Sequence, residues 1–320
     1  MRRCRHERGD GGTEALFGRM LDGEMDDAKI REVLVTLADK GETAEGIAGA
    51  ASAMRARMTR VSAPANAIDV CGTGGDGQHS LNVSTAVAIV VAACNVPVAK
   101  HGNRAASSKA GAADTLEALG LDLANASERA EHTLADIGIA FLFAQAHHPA
   151  MRHVMPIRKE LGRRTIFNLI GPLANPAGVS RQLVGVASPD LVETYRDAMA
   201  LLGTDAALVV SGEEGLDEIS IDGATRLGAI GLGGIGDSIR PEDALGAKPS
   251  ARELRGGDAA YNAAALRRLL MGEDGAYRNA VLLNTAAALI VAGEASGWRD
   301  GAEEAAEAID RGLAKALLDC

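Results

Sequence analysis

Aromatic side chains are almost missing from this chain: Phe, Tyr and Trp make up 2% of its 320 residues. A surface that grips nucleic acid by stacking bases on rings is therefore poorly supplied. An excess of positive charge is missing too. Lys and Arg number 33 against 43 Asp and Glu, a net charge of −10, which opposes nonspecific attraction to nucleic acid or an anionic membrane. Cysteine is sparse. Cys4, Cys71, Cys94 and Cys320 are scattered without a CxxC pair, which reads as reduced thiols in a cytoplasmic protein rather than a disulfide framework. Cys71 reads as a small buried strand-end residue, because the sequence places no base beside it. No run reaches the roughly 18 apolar residues of a membrane helix. The basic N-terminus MRRCRHERGDGG lacks the apolar region of a secretory signal, so residues 1–12 read as a disordered tail.

What the chain does have is a hydrophobic content of 47% and clear punctuation. Leu16, Met20 and Leu21, then Ile30, Val33, Leu34 and Leu37, then Ile47, Ala51 and Met54 recur at helical spacing. Gly41 can end one helix and Thr43 can cap the next. Residues 13–63 thus predict a small all-helical domain, completed by helices near 127–137 and 147–161. Residues 64–320 predict a larger α/β domain with a mainly parallel central sheet, its strands at 68–70, 96–99, 139–143, 183–187 and 206–210.

Two glycine turns dominate that second part. Gly72-Thr73-Gly74-Gly75-Asp76 and Lys100-His101-Gly102-Asn103-Arg104 each follow a short apolar run and precede a helix-like run. In a parallel sheet both would open on the same edge, where backbone N–H groups and helix N-termini suit an oxyanion. With Lys100, Arg104 and Lys109 nearby, the ligand expected there is a phosphate or diphosphate. GTGGDG matches GxGxxG, but a dinucleotide fingerprint needs an acid at the end of the next strand, and that strand ends in Lys100-His101. No Gly-Lys-Ser/Thr supplies a Walker A loop either. Asn82-Val83-Ser84-Thr85 opens the intervening helix, and its hydroxyls read either as N-caps or as ligand contacts at the same edge.

His147, His148 and His153 lack HExxH spacing and no cysteine or carboxylate joins them, so the best reading is a helix-start histidine facing the crevice or a cap. Two prolines and a glycine in 164–176 predict an ordered, irregular loop. Glu213 and Glu214 read as a solvated pair. Asp217 and Glu218, flanked by Leu216 and Ile219, are the more constrained acids and the candidates for Mg²⁺, which favours carboxylates, water and phosphate oxygens together.

Taken together, GTGGD (72–76), NVST (82–85), KHGNRAASSKAGAADTLEALG (100–120), HHPAMRHV (147–154), RTIFNLIGPLANP (164–176) and GLDEIS (215–220) resemble the anthranilate phosphoribosyltransferase family. The order and spacing agree along nearly the whole chain. The related pyrimidine nucleoside phosphorylases share something like KHGNR and SSK without the other segments. The resemblance implies a cytoplasmic homodimer that uses Mg²⁺ to move phosphoribose from phosphoribosyl pyrophosphate (PRPP) to anthranilate, with no nucleic-acid or membrane partner. It assigns PRPP to Gly72, Thr73, Gly75, Asp76, Asn82, Ser84, Thr85, Lys100, Asn103, Arg104 and Ser108. Anthranilate falls to Gly72, Asn103, His148 and Arg164, and Mg²⁺ to Ser84, Asp217 and Glu218. No general base is assigned. Gln145 stands where the family more often has proline, which bears on local loop shape.

Among the cations available for anthranilate's carboxylate (Arg158, Lys159, Arg163 and Arg164), the resemblance points to Arg164. Two other readings stand beside the transferase: a nucleoside phosphorylase, and a non-catalytic paralogue that binds nucleic acid. The acidic balance and scarce aromatics oppose the latter, and the Asp217-Glu218 pair supports metal-assisted catalysis.

Overall fold

The alternation of strand and helix closes into one seven-stranded sheet. The computed structural model describes residues 10–105, 108–246 and 254–320, with side chains from residue 12 onward. Three helices lead: α1 (Asp10–Leu21), α2 (Asp27–Lys40) and α3 (Ala44–Arg55). The Asp26 carboxylate caps α2 by accepting from Lys29 N at 2.8 Å, and the Thr43 hydroxyl caps α3 through Gly46 N at 3.1 Å. Of the expected tail, residues 1–9 lie outside the described residues, while Asp10 to Gly12 already belong to α1. No helix among the described residues is long and apolar enough to cross a membrane.

The strands are β1 (Ile68–Gly72), β2 (Val98–Gly102), β3 (Ile139–Phe143), β4 (Arg181–Gly185), β5 (Ala206–Gly212), β6 (Thr225–Ile230) and β7 (Ser238–Ile239). They lie in the order β3-β2-β1-β4-β5-β6-β7. The first five are parallel, and β6 and β7 join antiparallel. The mainly parallel sheet expected from the sequence is therefore present. The β6–β7 ribbon was not expected. Its segment, LGAIGLGGIGDSI, is broken by glycines and shows no clean alternation for a strand to be read from. β2 also runs later than expected, which puts Lys100 and His101 inside the strand instead of in the turn.

Successive strand residues leave on opposite faces, and both faces are covered, as a parallel sheet requires. Ile68, Val70, Leu183, Leu208 and Val210 pack with α4 (Val83–Ala93) and the Ala276–Ala292 helix. Cys71, Val184, Ala207 and Val209 pack with the helical unit through Phe17, Met20, Leu34 and Ile47. Ile157 of the 155–161 helix joins that second core. The 130–137 helix does not: its Ala130 and Leu134 rest on Ala140 and Leu142 of β3. The 164–176 stretch also departs from the irregular loop expected. Thr165 starts a short helix, Ile166–Ile170, and Pro172–Ala174 is one 3₁₀ turn. Its Gly and Pro fall after the helical turn and end it, instead of preventing it.

The topology fixes where a ligand belongs. From β1 the chain moves outward to β2 and β3, then returns to the other side of β1 for β4. The order reverses between β1 and β4, and open α/β sheets bind ligands outside the carboxyl ends of the strands at that point.

Candidate active site

At the reversal, Gly72 and Gly185 are register partners, each the last residue of its strand. Neither has room for a side chain. A β-carbon on Gly185 would run into the backbone carbonyl of Asp217, and one on Gly72 into the Asp217 carboxylate. Two bare strand ends thus let the segment after β5 lie directly on the sheet. There the Asp217 carboxylate accepts from Gly74 N at 2.7 Å, and the Glu218 carboxylate accepts from Ser84 N at 3.2 Å. One acid holds the GTGGD turn and its neighbour holds the NVST turn. Within the first turn Gly74, Gly75 and Gly77 have φ near +70° (67°, 74° and 74°), a region that side-chain-bearing residues seldom adopt.

The two carboxyls resist ionising together. Burial, then the nearby Asp76, pushes Asp217 up to about 7. Burial and the Asp217 charge push Glu218 up as well, with Lys100 acting the other way. Lys100 is 4% exposed and donates to Val70 O at 2.7 Å and the Ser84 hydroxyl at 3.4 Å. Beneath it lies Asp69, fully buried, whose carboxyl is raised by burial while Lys100 and Asn175 oppose that rise. Asp69 accepts from His101 N at 3.1 Å and from Asn175 Nδ2 at 2.8 Å. Asn175 also donates to Ala99 O, so the GPLANP segment is fastened under the site. Asp69, His101 and Asn175 were missed from sequence, since only the fold brings together positions separated by 32 and 106 residues.

Three buried polar atoms of the two turns have no protein partner: Thr73 Oγ1, Asp76 Oδ2 and Thr85 Oγ1. Buried polar groups are nearly always paired; the two hydroxyls can donate to a ligand's oxygens, and the Asp76 carboxylate can accept from a ligand hydroxyl. Asn82 is different. Its Oδ1 accepts from Thr115 Oγ1 at 2.5 Å and from Asn262 Nδ2 at 2.9 Å, and its Nδ2 donates to Ala110 O at 3.4 Å. Its amide is spent on holding loops together. Asn103 Oδ1 accepts from Arg104 N, and Ser108 Oγ donates to Ala110 O. Arg104 is already paired with Asp114 and Glu117 and lies over the Phe143 ring, 5.6 Å from its centroid. Those carboxylates raise its guanidinium's pKa further.

His148 is buried and its Nε2 lies 3.2 Å from Nε2 of His101, whose Nδ1 contacts Gly171 O at 3.1 Å. Burial holds His148 down at about 4 and His101 at about 3, so both are neutral imidazoles near pH 7. His147 turns away to Thr59 O, and His153 packs at Gly23; the three histidines do not converge. Arg163 is exposed and bound to Asp39 at 2.8 Å. Arg164 is exposed, with Nη1 3.4 Å from Gly75 O, and borders a cavity of about 280 Å³ shared with Ala38, Thr165 and Leu191. Arg158 is half-buried, lies 5.4 Å over the Phe167 ring and donates to Asn168 Oδ1 at 3.3 Å. Burial lowers its pKa, and no salt bridge pairs it among the described residues.

The donor set fits a small hard cation. Asp217, Glu218 and the Ser84 hydroxyl offer oxygen only, and the mutual repulsion of the two acids is what a divalent charge would relieve. Among the described residues no three His, Cys, Asp or Glu converge on a point that could hold a metal. A cation here would therefore draw most of its ligands from water and a bound diphosphate, the habit of Mg²⁺.

The chain is similar to known proteins along nearly its whole length. Residues 64–315 match the a/b domain of the glycosyl transferase family, and residues 11–58 its helical bundle domain. An anthranilate phosphoribosyltransferase of Novosphingobium aromaticivorans is 65% identical over 309 residues, covering 96% of this chain and 94% of that one. Its counterpart in Sphingopyxis alaskensis is 62% identical over 309 residues, 95% and 92% of the two chains. Among solved structures, the enzyme of Thermus thermophilus superposes with a TM-score of 0.91 at 41% identity, over 97% and 93% of the chains. The Saccharomyces cerevisiae enzyme in complex with PRPP and Mg superposes at 0.87 with 28% identity, over 97% and 92%.

Proposed function

This chain belongs to the anthranilate phosphoribosyltransferases, and we infer that it moves the 5-phosphoribosyl group of PRPP onto the amine of anthranilate. The products are N-(5-phosphoribosyl)anthranilate and pyrophosphate, and the step lies in tryptophan biosynthesis. The observation that carries the reading is the Asp217–Glu218 segment lying on the bare ends of β1 and β4, with one acid on each donor turn. In the reaction the C1–oxygen bond breaks with its electron pair leaving on the diphosphate. The amine lone pair forms the new C1–nitrogen bond, and that nitrogen then loses a proton.

The leaving charge is what needs stabilising. In this reading the backbone N–H groups of the GTGGD turn, Thr73, Thr85 and Lys100 take the diphosphate, with Gly72, Gly75 and Asp76 shaping the turn. Asn82 supports it from behind, and Asn103, Arg104 and Ser108 close the near side; Arg104 does so by exchanging Asp114 and Glu117 for phosphate oxygens. Mg²⁺ held by Asp217, Glu218 and Ser84 would neutralise diphosphate charge as it develops. The neutral amine is already a nucleophile, so orienting it counts for more than removing a proton first. The neutral, buried His148 suits the wall against its ring, beside Gly72 and Asn103. Residues 13–63 would form the helical domain and 64–320 the phosphoribosyl-binding domain of a cytoplasmic homodimer. Light scattering should give twice the mass of the chain, and a monomer at micromolar concentration would refute the dimer.

A fluorescence assay tests the reaction. Anthranilate emission is expected to fall only when PRPP and Mg²⁺ are both present, with pyrophosphate released one for one. No loss of emission, or release of free base from a nucleoside with inorganic phosphate, contradicts it.

Two guanidinium groups compete for the acceptor's carboxylate. Arg164 is the residue the sequence resemblance favours, but it is exposed and leans on Gly75 of the donor turn. Arg158 is desolvated and lacks a carboxylate partner among the described residues, the state in which a charge-assisted pair gains most. Such a pair is worth about 1.5–3 kcal/mol. Arg158→Ala is therefore expected to raise the anthranilate KM roughly tenfold to a hundredfold with the PRPP KM within about twofold. Arg164→Ala should affect both substrates. If Arg164→Ala alone raises the anthranilate KM and Arg158→Ala does not, the anchor is Arg164.

A further inference from the structure

The turn that follows β2 is held from outside the site by one side chain, Asp114. α5 (Ala112–Leu119) starts directly after that turn and its return arm. Asp114, in its first turn, accepts at one oxygen, Oδ2, from both Ala105 N at 3.0 Å and Gly111 N at 2.8 Å. Its other oxygen accepts from Arg104 Nη1 at 2.9 Å. The bond to Gly111 is the ordinary service of a third-position acid to its helix cap. The bond to Ala105 is not, because it reaches across to the outgoing arm. Ala113 N adds a bond to Asn103 O at 3.2 Å. The two arms cross so closely that a β-carbon on Gly111 would lie 2.6 Å from the carbonyl carbon of Arg104. The next residue, Thr115, donates to Asn82 of the NVST turn. One turn of α5 thus fastens both the turn after β2 and the NVST turn.

We propose that Asp114 is a positioning residue for PRPP, fixing the turn that carries Asn103 and Arg104, and the return arm that carries Ser108, in the shape that receives the diphosphate. The proposal rests on the transferase reading of the site. Without Asp114 the arms lose their shared acceptor, and a displacement of about 1 Å in a binding turn can cost on the order of a hundredfold. Asp114→Asn keeps an oxygen that can accept both N–H groups and loses only the charge facing Arg104.

Steady-state kinetics with Mg²⁺ and varied PRPP test it. Asp114→Ala is expected to raise the PRPP KM about tenfold to a hundredfold, with kcat changed less than about threefold and the anthranilate KM within about twofold. Asp114→Asn should recover most of the loss, and Glu117→Ala, which removes only the outer partner of Arg104, should stay within about threefold of wild type. A lower melting temperature with an unchanged PRPP KM would make Asp114 a helix cap and nothing more. Should Asp114→Ala fail to fold, amide exchange on the wild type decides: the Ala105 amide is expected to be protected and to slow further with PRPP and Mg²⁺. Free exchange of that amide in the complex overturns the proposal. Wild-type protein that binds no PRPP overturns the reading of the site, whereas wild-type affinity in Asp114→Ala overturns only the role of Asp114.

Discussion

The double substitution Asp217→Asn with Glu218→Gln is expected to lower turnover at saturating PRPP by about a hundredfold to a thousandfold, with the circular dichroism spectrum unchanged. A divalent charge on a departing diphosphate is worth several kcal/mol, and each 1.4 kcal/mol is a factor of ten. Both replacements keep shape and some hydrogen-bonding capacity, so the bonds from Gly74 N and Ser84 N can persist through the amide oxygens. The folded protein should not suffer. Removing two carboxyls that burial and mutual repulsion hold above their ordinary range relieves an unfavourable arrangement, so thermal stability without ligand should hold or rise. Activity and stability moving in opposite directions is the signature of residues kept for chemistry. Titration of Mg²⁺ should show that excess metal restores little of the lost rate. Near-normal activity at limiting Mg²⁺ would remove the acidic pair from the mechanism.

The second large effect is expected from a single methyl group. Gly185→Ala places a β-carbon against the backbone carbonyl of Asp217, not against the movable end of a side chain. Gly185 has no left-handed φ, so alanine suits its backbone and the consequence is purely steric. The 216–218 segment must lift off the strand ends. That carries both acids away from the donor turns, and rate should fall about a hundredfold as the cation site opens. Overpacking of this kind costs about 1–3 kcal/mol of stability, which should appear as a modest drop in melting temperature. Gly297→Ala is the control, since a β-carbon there meets nothing within 4 Å, and its activity should equal wild type. A Gly185→Ala enzyme with normal kcat would mean that close packing at the strand ends has no bearing on catalysis.

These two experiments concern the part of the site that was only half legible in the sequence. The GTGGD turn and the Asp217-Glu218 pair could be read directly, because each follows a strand signal and the parallel grammar puts strand ends on one edge; NVST could be read because it opens the next helix. That Gly72 and Gly185 are partners, and bare for the sake of Asp217, depends on register and could not be read. The same holds for Asp69, His101 and Asn175, whose bonds join β1, β2 and the 166–176 segment. Arg104 is a sharper case. As a cation beside a glycine turn it reads as a phosphate ligand, yet its partners ten and thirteen residues on come within reach only because α5 folds back beside the turn. The sequence resemblance singles out Arg164, whereas the Phe167 ring beneath Arg158 could be seen only in the fold. The fold was more legible than the site because short apolar runs and turn residues are local signals. Its unread part, β6–β7, is the stretch where glycines erase them.

In the proposed reaction diphosphate and cation meet between the GTGGD turn and the Asp217–Glu218 segment, outside the ends of β1 and β4. Anomalous diffraction from crystals grown with PRPP and Mn²⁺ in place of Mg²⁺ tests it most directly. A manganese peak is expected within coordination distance of Asp217 or Glu218, bridged to diphosphate oxygens that also receive N–H groups of residues 73–76. A diphosphate held instead in the cavity beside Arg163 and Arg164, with no manganese at the acidic pair, would contradict it.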